Sequence, residues 1–228
     1  MNLFLKLILC INLLVNSNFI LTSEQIGSSL DMFDYQDTPI RLSILIATIE
    51  KRTQSFNKLY QKLLDQLKTY NLETAVEILF YKDNQTVPLG RKRNWLVQNA
   101  KGEYVCFLDD DDDVCEDYLK LLFIACASKL DCVSCTGLFF MPNKKPRIFK
   151  HSLKYKRIFL DKNGISYSPV YHINPVRKDI AIQVLFPEQN RQEDDVWSEQ
   201  LMNRKLLKTE FEVKKPYYFY HYEPNKQL

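Results

Sequence analysis

The chain has 228 residues, 46% hydrophobic and 26% charged, a globular balance that excludes disordered, collagen-like and disulfide-held miniprotein classes. Its formal net charge of +3 is too small to imply a nucleic-acid partner. Its five glycines form neither G-x-G-x-x-G nor G-x-x-x-x-G-K-[ST], so the signatures of dinucleotide and P-loop folds are missing.

Residues 1–23 carry one charge, Lys6, within an apolar stretch over 3–15 that Lys6 and Asn12 interrupt. A membrane span needs about 20 apolar residues. The segment therefore reads as a secretory signal, with Ser17 or Ser23 near the cleavage point, or as an anchor if it stays attached. A signal peptide would send the chain to the secretory lumen or outside the cell, and without one it would be cytoplasmic. A membrane partner is expected only if the segment is uncleaved. Residues 24–40 form a polar lead-in with a turn near 37–39.

Residues 42–48 are a short, almost wholly apolar run, as expected of a strand buried on both faces. Phe56, Leu59, Leu63, Leu64 and Leu67 follow at helical spacing. A strand over 75–81, a helix over 89–99 stopped by Gly102, a strand over 103–108, a helix over 116–128 and a strand over 132–140 continue the alternation. The pattern predicts an α/β fold around a mostly parallel sheet. Beyond it comes a mixed half: a basic stretch over 144–157, a hairpin turn at Asn163-Gly164, a helix over 194–207 and an aromatic tail over 217–222. Lysines on an exposed hairpin are commoner than a nucleic-acid site, and no nucleic-acid partner is expected. Five of the six cysteines lie between 106 and 135. Cys132 and Cys135 form a lone C-x-x-C on the expected strand, where positions three apart face opposite sides, so buried free thiols are expected rather than a zinc site.

Residues 109–113 are five consecutive aspartates, and Glu116 and Asp117 make seven acids in nine positions. Charge runs are ordinarily solvated faces. This one lies at the carboxyl end of a buried strand, where open α/β sheets place ligands. One or two carboxylates would satisfy a helix N-terminus, whereas five in a row repel one another. A hard divalent cation, Mn²⁺ or Mg²⁺, offsets that repulsion and is held by one or two carboxylates together with substrate phosphates.

The segments Ser43-Ile-Leu-Ile-Ala-Thr48 with Arg52, Gly90-Arg-Lys-Arg-Asn94 and Gly102-Glu-Tyr-Val-Cys-Phe-Leu-Asp109-Asp-Asp-Asp112 resemble the family 2-like glycosyltransferases with a GT-A fold. So do His172-Ile-Asn-Pro175, Phe186-Pro187, Glu193-Asp-Asp-Val-Trp197-Ser198 and Tyr220-His-Tyr222. The ordered series covers about residues 41–225, taken as one transferase domain. The resemblance implies a GT-A-type single domain, a divalent metal, a nucleotide-sugar donor (a UDP-sugar first among these) and a glycan or protein hydroxyl as acceptor. Carried over, Thr48, Arg52 and Asp83 would border the base and Arg93 would reach base or phosphate. Asp109 would meet the ribose, Asp110 the donor and Asp111 the metal, with His221 as a nitrogen ligand. Asp110 with Asp112 fits D-x-D equally well, so the register stays open. The second strand ends Tyr81-Lys-Asp-Asn84 rather than D-x-S-x-D, and Gln192 replaces the glycine common before the E-D motif.

The acceptor hydroxyl must lose a proton, which a carboxylate can take as general base. With no chain nucleophile required, a single displacement inverts the anomeric centre. That base should come from a segment other than the metal turn, and Asp194, with Asp195 as the neighbouring alternative, meets this requirement. His172 and Trp197 would shape the acceptor side. Two other classes compete. A sugar-phosphate nucleotidyltransferase would want a glycine-rich loop after the first strand, where this chain has Thr48-Ile-Glu-Lys-Arg52. A non-catalytic protein binding metal or nucleotide sugar would not need an E-D motif.

Overall fold

The computed structural model describes residues 40–222, so the expected leader and nearly all of the lead-in lie outside the described residues. The run of apolar residues forms β1 (Leu42–Ile49), buried over most of its length. It pairs in parallel with β2 (Val76–Asp83) on one side and β3 (Tyr104–Phe107) on the other. The crossovers are α1 (Thr53–Thr69), which buries Phe56, Leu59, Leu63 and Leu67, and α2 (Leu89–Asn99). Positions 56, 59, 63 and 67 fall on one helical stripe, which is why this helix was legible. The buried face of α2 differs: it carries Lys92 and Arg93 beside Leu96 and Val97.

After β4 (Asp113–Val114), α3 (Tyr118–Cys126) is shorter at both ends than its apolar pattern predicts. The strand expected over 132–140 is two strands. β5 (Cys132–Val133) belongs to the first sheet and β6 (Cys135–Phe140) to the second, with Ser134 between them. Ser134 ties the crossing point to the chain's last third: its N–H donates to Phe211 O at 2.9 Å and its Oγ accepts from Val213 N at 2.8 Å. Cys132 and Cys135 therefore sit in different sheets, and all five cysteines from Cys106 to Cys135 are buried and free.

The remaining elements are β7 (Arg147–His151), β8 (Phe159–Leu160), β9 (Ser166–Ser168), β10 (Val176–Arg177), α4 (Lys178–Ala181), α5 (Glu193–Asn203), β11 (Glu210–Phe211) and β12 (Tyr218–His221). The first sheet runs β11-β5-β10-β3-β1-β2, with the three parallel strands at one end and β10 antiparallel beside β3. The second runs β4-β12-β6-β7-β9-β8. The hairpin turn at Asn163-Gly164 joins antiparallel β8 and β9, with Gly164 at φ +78° and Asp161 accepting from the Asn163 and Ile165 N–H groups. α5 stops at Asn203, four residues short of the expected end, and Leu207 is buried beyond it. Among the described residues no helix is long and apolar enough to cross a membrane.

One core joins β1, β3, β10, α2 and α5 through Leu45, Leu96, Phe107, Val176, Trp197 and Leu201. Asn94 accepts from Phe186 N and donates to Phe186 O, both at 2.8 Å, and Gly90 N–H reaches Gln189 O at 3.1 Å. These bonds fix the loop leading into α5 against α2. The start of α5 is thereby brought to the carboxyl ends of β1 and β3.

Candidate active site

The acidic turn follows β3, and its side chains alternate. Asp110 and Asp112 are turned inward, the Asp110 side chain 1% exposed and the Asp112 residue 7%, whereas the Asp109 and Asp111 side chains are 35% and 16% exposed. Five identical residues thus resolve into two layers. Asp110 accepts from Thr48 Oγ1 at 2.6 Å and from Arg52 Nη1 at 2.8 Å; burial raises its pKa, and these partners oppose the rise. Asp112 accepts from the Tyr218 hydroxyl at 2.8 Å and the His221 backbone N–H at 3.0 Å. Burial and the Asp109 charge push its carboxyl up to about 8. Asp113 leaves the turn toward Lys62, 3.0 Å away.

Thr48 and Asp110 form a buried prop beneath the turn, as a desolvated carboxylate must find donors inside the protein. Asp83 is likewise occupied. It accepts from the Thr86 and Val87 N–H groups, both at 2.8 Å, and pairs with the buried ammonium of Lys92. Burial raises its pKa, but Lys92 and the Val87 N–H outweigh that and hold it down to about 2. Arg52 remains at the rim, 3.1 Å from Asp111 Oδ2.

A second cluster joins the turn to α5. Arg93 Nη2 lies 3.2 Å from Asp109 Oδ1, and its Nη1 lies 2.8 Å from Glu193 Oε1. The guanidinium also stands over the rings of Phe107 and Phe186, at 5.4 and 5.6 Å. His172 lies between two carboxylates: Nε2 is 3.4 Å from Asp109 Oδ2, and Nδ1 is 3.2 Å, off-axis, from Asp194 Oδ2. Burial and the Arg93 charge lower the His172 pKa, but Asp109 and Asp194 outweigh them and raise it above its ordinary value. Burial likewise opposes ionisation of Asp194, yet His172 and Arg93 hold it down to about 2.

The three acids opening α5 separate by helical position. Glu193 is buried against Arg93, Asp194 faces His172, and Asp195 is exposed, with its N–H donating to Asp194 Oδ1 at 3.0 Å. Trp197 stands in the core: it is buried, its indole N–H donates to Val184 O at 3.1 Å, and its ring stacks on Phe186 at 5.0 Å. The His221 ring stacks on Phe140 at 5.0 Å.

No protein-family model and no curated protein matches the sequence. Among solved structures, the chain is similar to S. aureus TarS 1–349 in complex with UDP-GlcNAc, with a TM-score of 0.56 and 16% identity. That similarity covers 82% of this chain and 60% of the other. The complex of TarS 1–349 with UDP gives a TM-score of 0.55 at 16% identity, covering 81% and 61%. S. aureus TarS gives a TM-score of 0.55 at 16% identity, covering 81% of this chain and 37% of the other. The fold is GT-A. The chain spans about 60% of the length of TarS 1–349.

In this GT-A frame the outward carboxylates of the turn are Asp111, beside Arg52, and Asp109, between Arg93 and His172, both hard oxygen donors. Among the described residues no three His, Cys, Asp or Glu side chains are grouped to hold a metal alone. A Mg²⁺ or Mn²⁺ ion held there by one or two of these carboxylates would need phosphate and water to complete its shell. Lys92, Asp112 and Tyr218 brace the site; the sequence placed them in motifs and the aromatic tail without marking that role, since Lys92 pairs with Asp83 from β2 and Tyr218 lies in a strand whose partner β4 is about a hundred residues earlier.

Proposed function

We propose that the protein is an inverting glycosyltransferase, dependent on a divalent cation, that moves a sugar from a UDP-sugar to a hydroxyl of a glycan or protein acceptor. One observation carries this reading. The outward carboxylates of the turn and the partly exposed Asp194 belong to segments 83 to 85 residues apart, yet His172 approaches both Asp109 and Asp194, at 3.4 and 3.2 Å. The GT-A fold supports it, as do the UDP-GlcNAc and UDP in the TarS complexes.

A divalent cation held by Asp111 would neutralise charge developing on the leaving diphosphate. Asp109, oriented by Arg93 and His172, would accept from the donor's ribose. Asp194 would take the acceptor proton as the sugar's anomeric carbon passes from diphosphate to acceptor oxygen. A carboxylate held as low as about 2 is a weak base, so its assistance belongs at the lower end of the ordinary range, about 10²-fold. With no covalent sugar–protein intermediate, the anomeric configuration inverts.

The test is a panel of nucleotide sugars with Mn²⁺, read by thermal shift and donor hydrolysis, followed by NMR of the product's anomeric proton. Stabilisation by a UDP-sugar, lost in chelator, together with an inverted product, supports the proposal. A retained configuration rejects the single displacement, and absence of binding across the panel rejects the transferase reading.

A further inference from the structure

The β8–β9 hairpin lies at the far edge of the second sheet from β4 and takes no part in the site above. Ile158, Phe159 and Leu160 run consecutively there, with 63%, 41% and 60% of their surface exposed. Seven cations lie between residues 144 and 157 with no acid among them, and Lys162 follows β8. Lys144, Lys145, Arg147, Lys156 and Arg157 are exposed. Of the acids beside this stretch, Glu212 pairs with Lys154 at 2.7 Å, and Asp161 on the turn accepts from two backbone N–H groups and from the Tyr167 hydroxyl at 3.3 Å. The result is an apolar edge strand set in a basic surround.

We infer that this hairpin docks the protein on an anionic lipid surface, inserting Ile158 and Leu160 among the acyl chains while the flanking lysines and arginines meet the headgroups. Charge complementarity selects an anionic partner, and the apolar edge strand selects among anionic partners. The two most exposed side chains are aliphatic and have no ring on which a base could stack. The rings nearby are engaged with each other: Phe159 stacks on Tyr167 at 4.8 Å, and Tyr155 meets both edge-on. A single-stranded nucleic acid would require open aromatic faces. A membrane interface rewards aliphatic burial and basic charge together. The inference is independent of the proposed transfer reaction.

The test uses the full chain carrying Ile158→Trp, with the wild type in parallel to subtract the emission of Trp95 and Trp197. Vesicles of phosphatidylcholine alone are compared with vesicles containing phosphatidylglycerol, each with and without brominated acyl chains. The introduced indole should shift to the blue and be quenched by bromolipid in anionic vesicles only. This readout is local to the hairpin and unaffected by any binding through residues 1–23. Leu160→Ser should weaken partitioning about 5- to 20-fold, the share of a full aliphatic burial that 60% exposure represents. Reversing Lys156 and Arg157 to Glu should weaken it by at least about 5-fold for each charge. Absence of quenching, or equal quenching in neutral vesicles, overturns the inference. So does an equal shift with a soluble oligonucleotide, which assigns the surface to a polyanion. An indole already blue-shifted without vesicles also overturns it, because the edge strand is then covered by the chain's own terminus or a second copy.

Discussion

The buried pair Arg93–Glu193 links α2 to α5, and its removal should separate stability from chemistry. The two side chains are 4% and 3% exposed and 2.8 Å apart. Arg93→Met leaves Glu193 desolvated without its cation, and breaking one partner of such a pair costs about 3–5 kcal/mol. At about 2–4 °C per kcal/mol for a protein of this size, Tm should fall by about 6–20 °C. Burial already raises the Glu193 pKa with Arg93 present, and removing the cation raises it further. A carboxyl with a raised folded pKa penalises folding as pH rises through that value, so the deficit of Arg93→Met should narrow as pH is lowered. Glu193→Leu costs less, because Arg93 keeps Asp109 at 3.2 Å. The double variant Arg93→Met/Glu193→Leu leaves no buried charge unpaired and should recover most of the loss, a coupling of at least about 2 kcal/mol. Urea unfolding followed by tryptophan fluorescence, with Trp197 near the pair, supplies the double-mutant cycle. An Arg93→Met variant within about 1 kcal/mol of wild type would show a pair no stronger than an exposed one. A double variant as unstable as the sum of the singles would refute the buried-charge argument outright.

Asp111→Asn should abolish the cation dependence of UDP-sugar binding while Asp113→Asn, whose carboxylate faces Lys62, changes it little; calorimetric titration with and without chelator distinguishes them, and the reverse ranking rejects the Asp109-x-Asp111 register. Asp194→Asn should slow transfer about 10²-fold with donor affinity unchanged, whereas the exposed Asp195→Asn stays near wild type; equal loss in both would assign the effect to the start of α5 as a whole. Asp83, 10% exposed and held down to about 2, stabilises the fold above its unfolded pKa near 3.8 and loses that contribution as pH falls through its folded value. The term is about 2 kcal/mol, so stability of Asp83→Asn should fall less steeply than wild type between pH about 4 and about 2 in urea midpoints, and parallel curves would contradict the Lys92 pairing.

Local pattern made β1, α1, β2, α2 and β3 legible, because each is decided by the period of its apolar residues, and those periods alternate cleanly up to the acidic turn. The ordered motifs pointed to GT-A by resemblance, independently of that periodicity. The register within five identical aspartates could not be read, since no local property distinguishes Asp110 from Asp111. Which carboxylates turn inward is decided by Thr48 and Arg52 arriving from the end of β1, which hold Asp110, and by Tyr218 and His221 arriving from β12, which hold Asp112. The break at Ser134 was hidden similarly, because an apolar run of strand type does not record which sheet will pair with it. Helical charge alone gives no sign that Lys92 and Arg93 are buried. They are buried because Asp83, Asp109 and Glu193 come from three other elements to neutralise them, and only the closed fold makes that desolvation tolerable. His172 shows the limit most plainly: the motif around it marks it as a candidate, but its place between Asp109 and Asp194 exists only once β3 and α5 have packed against one core.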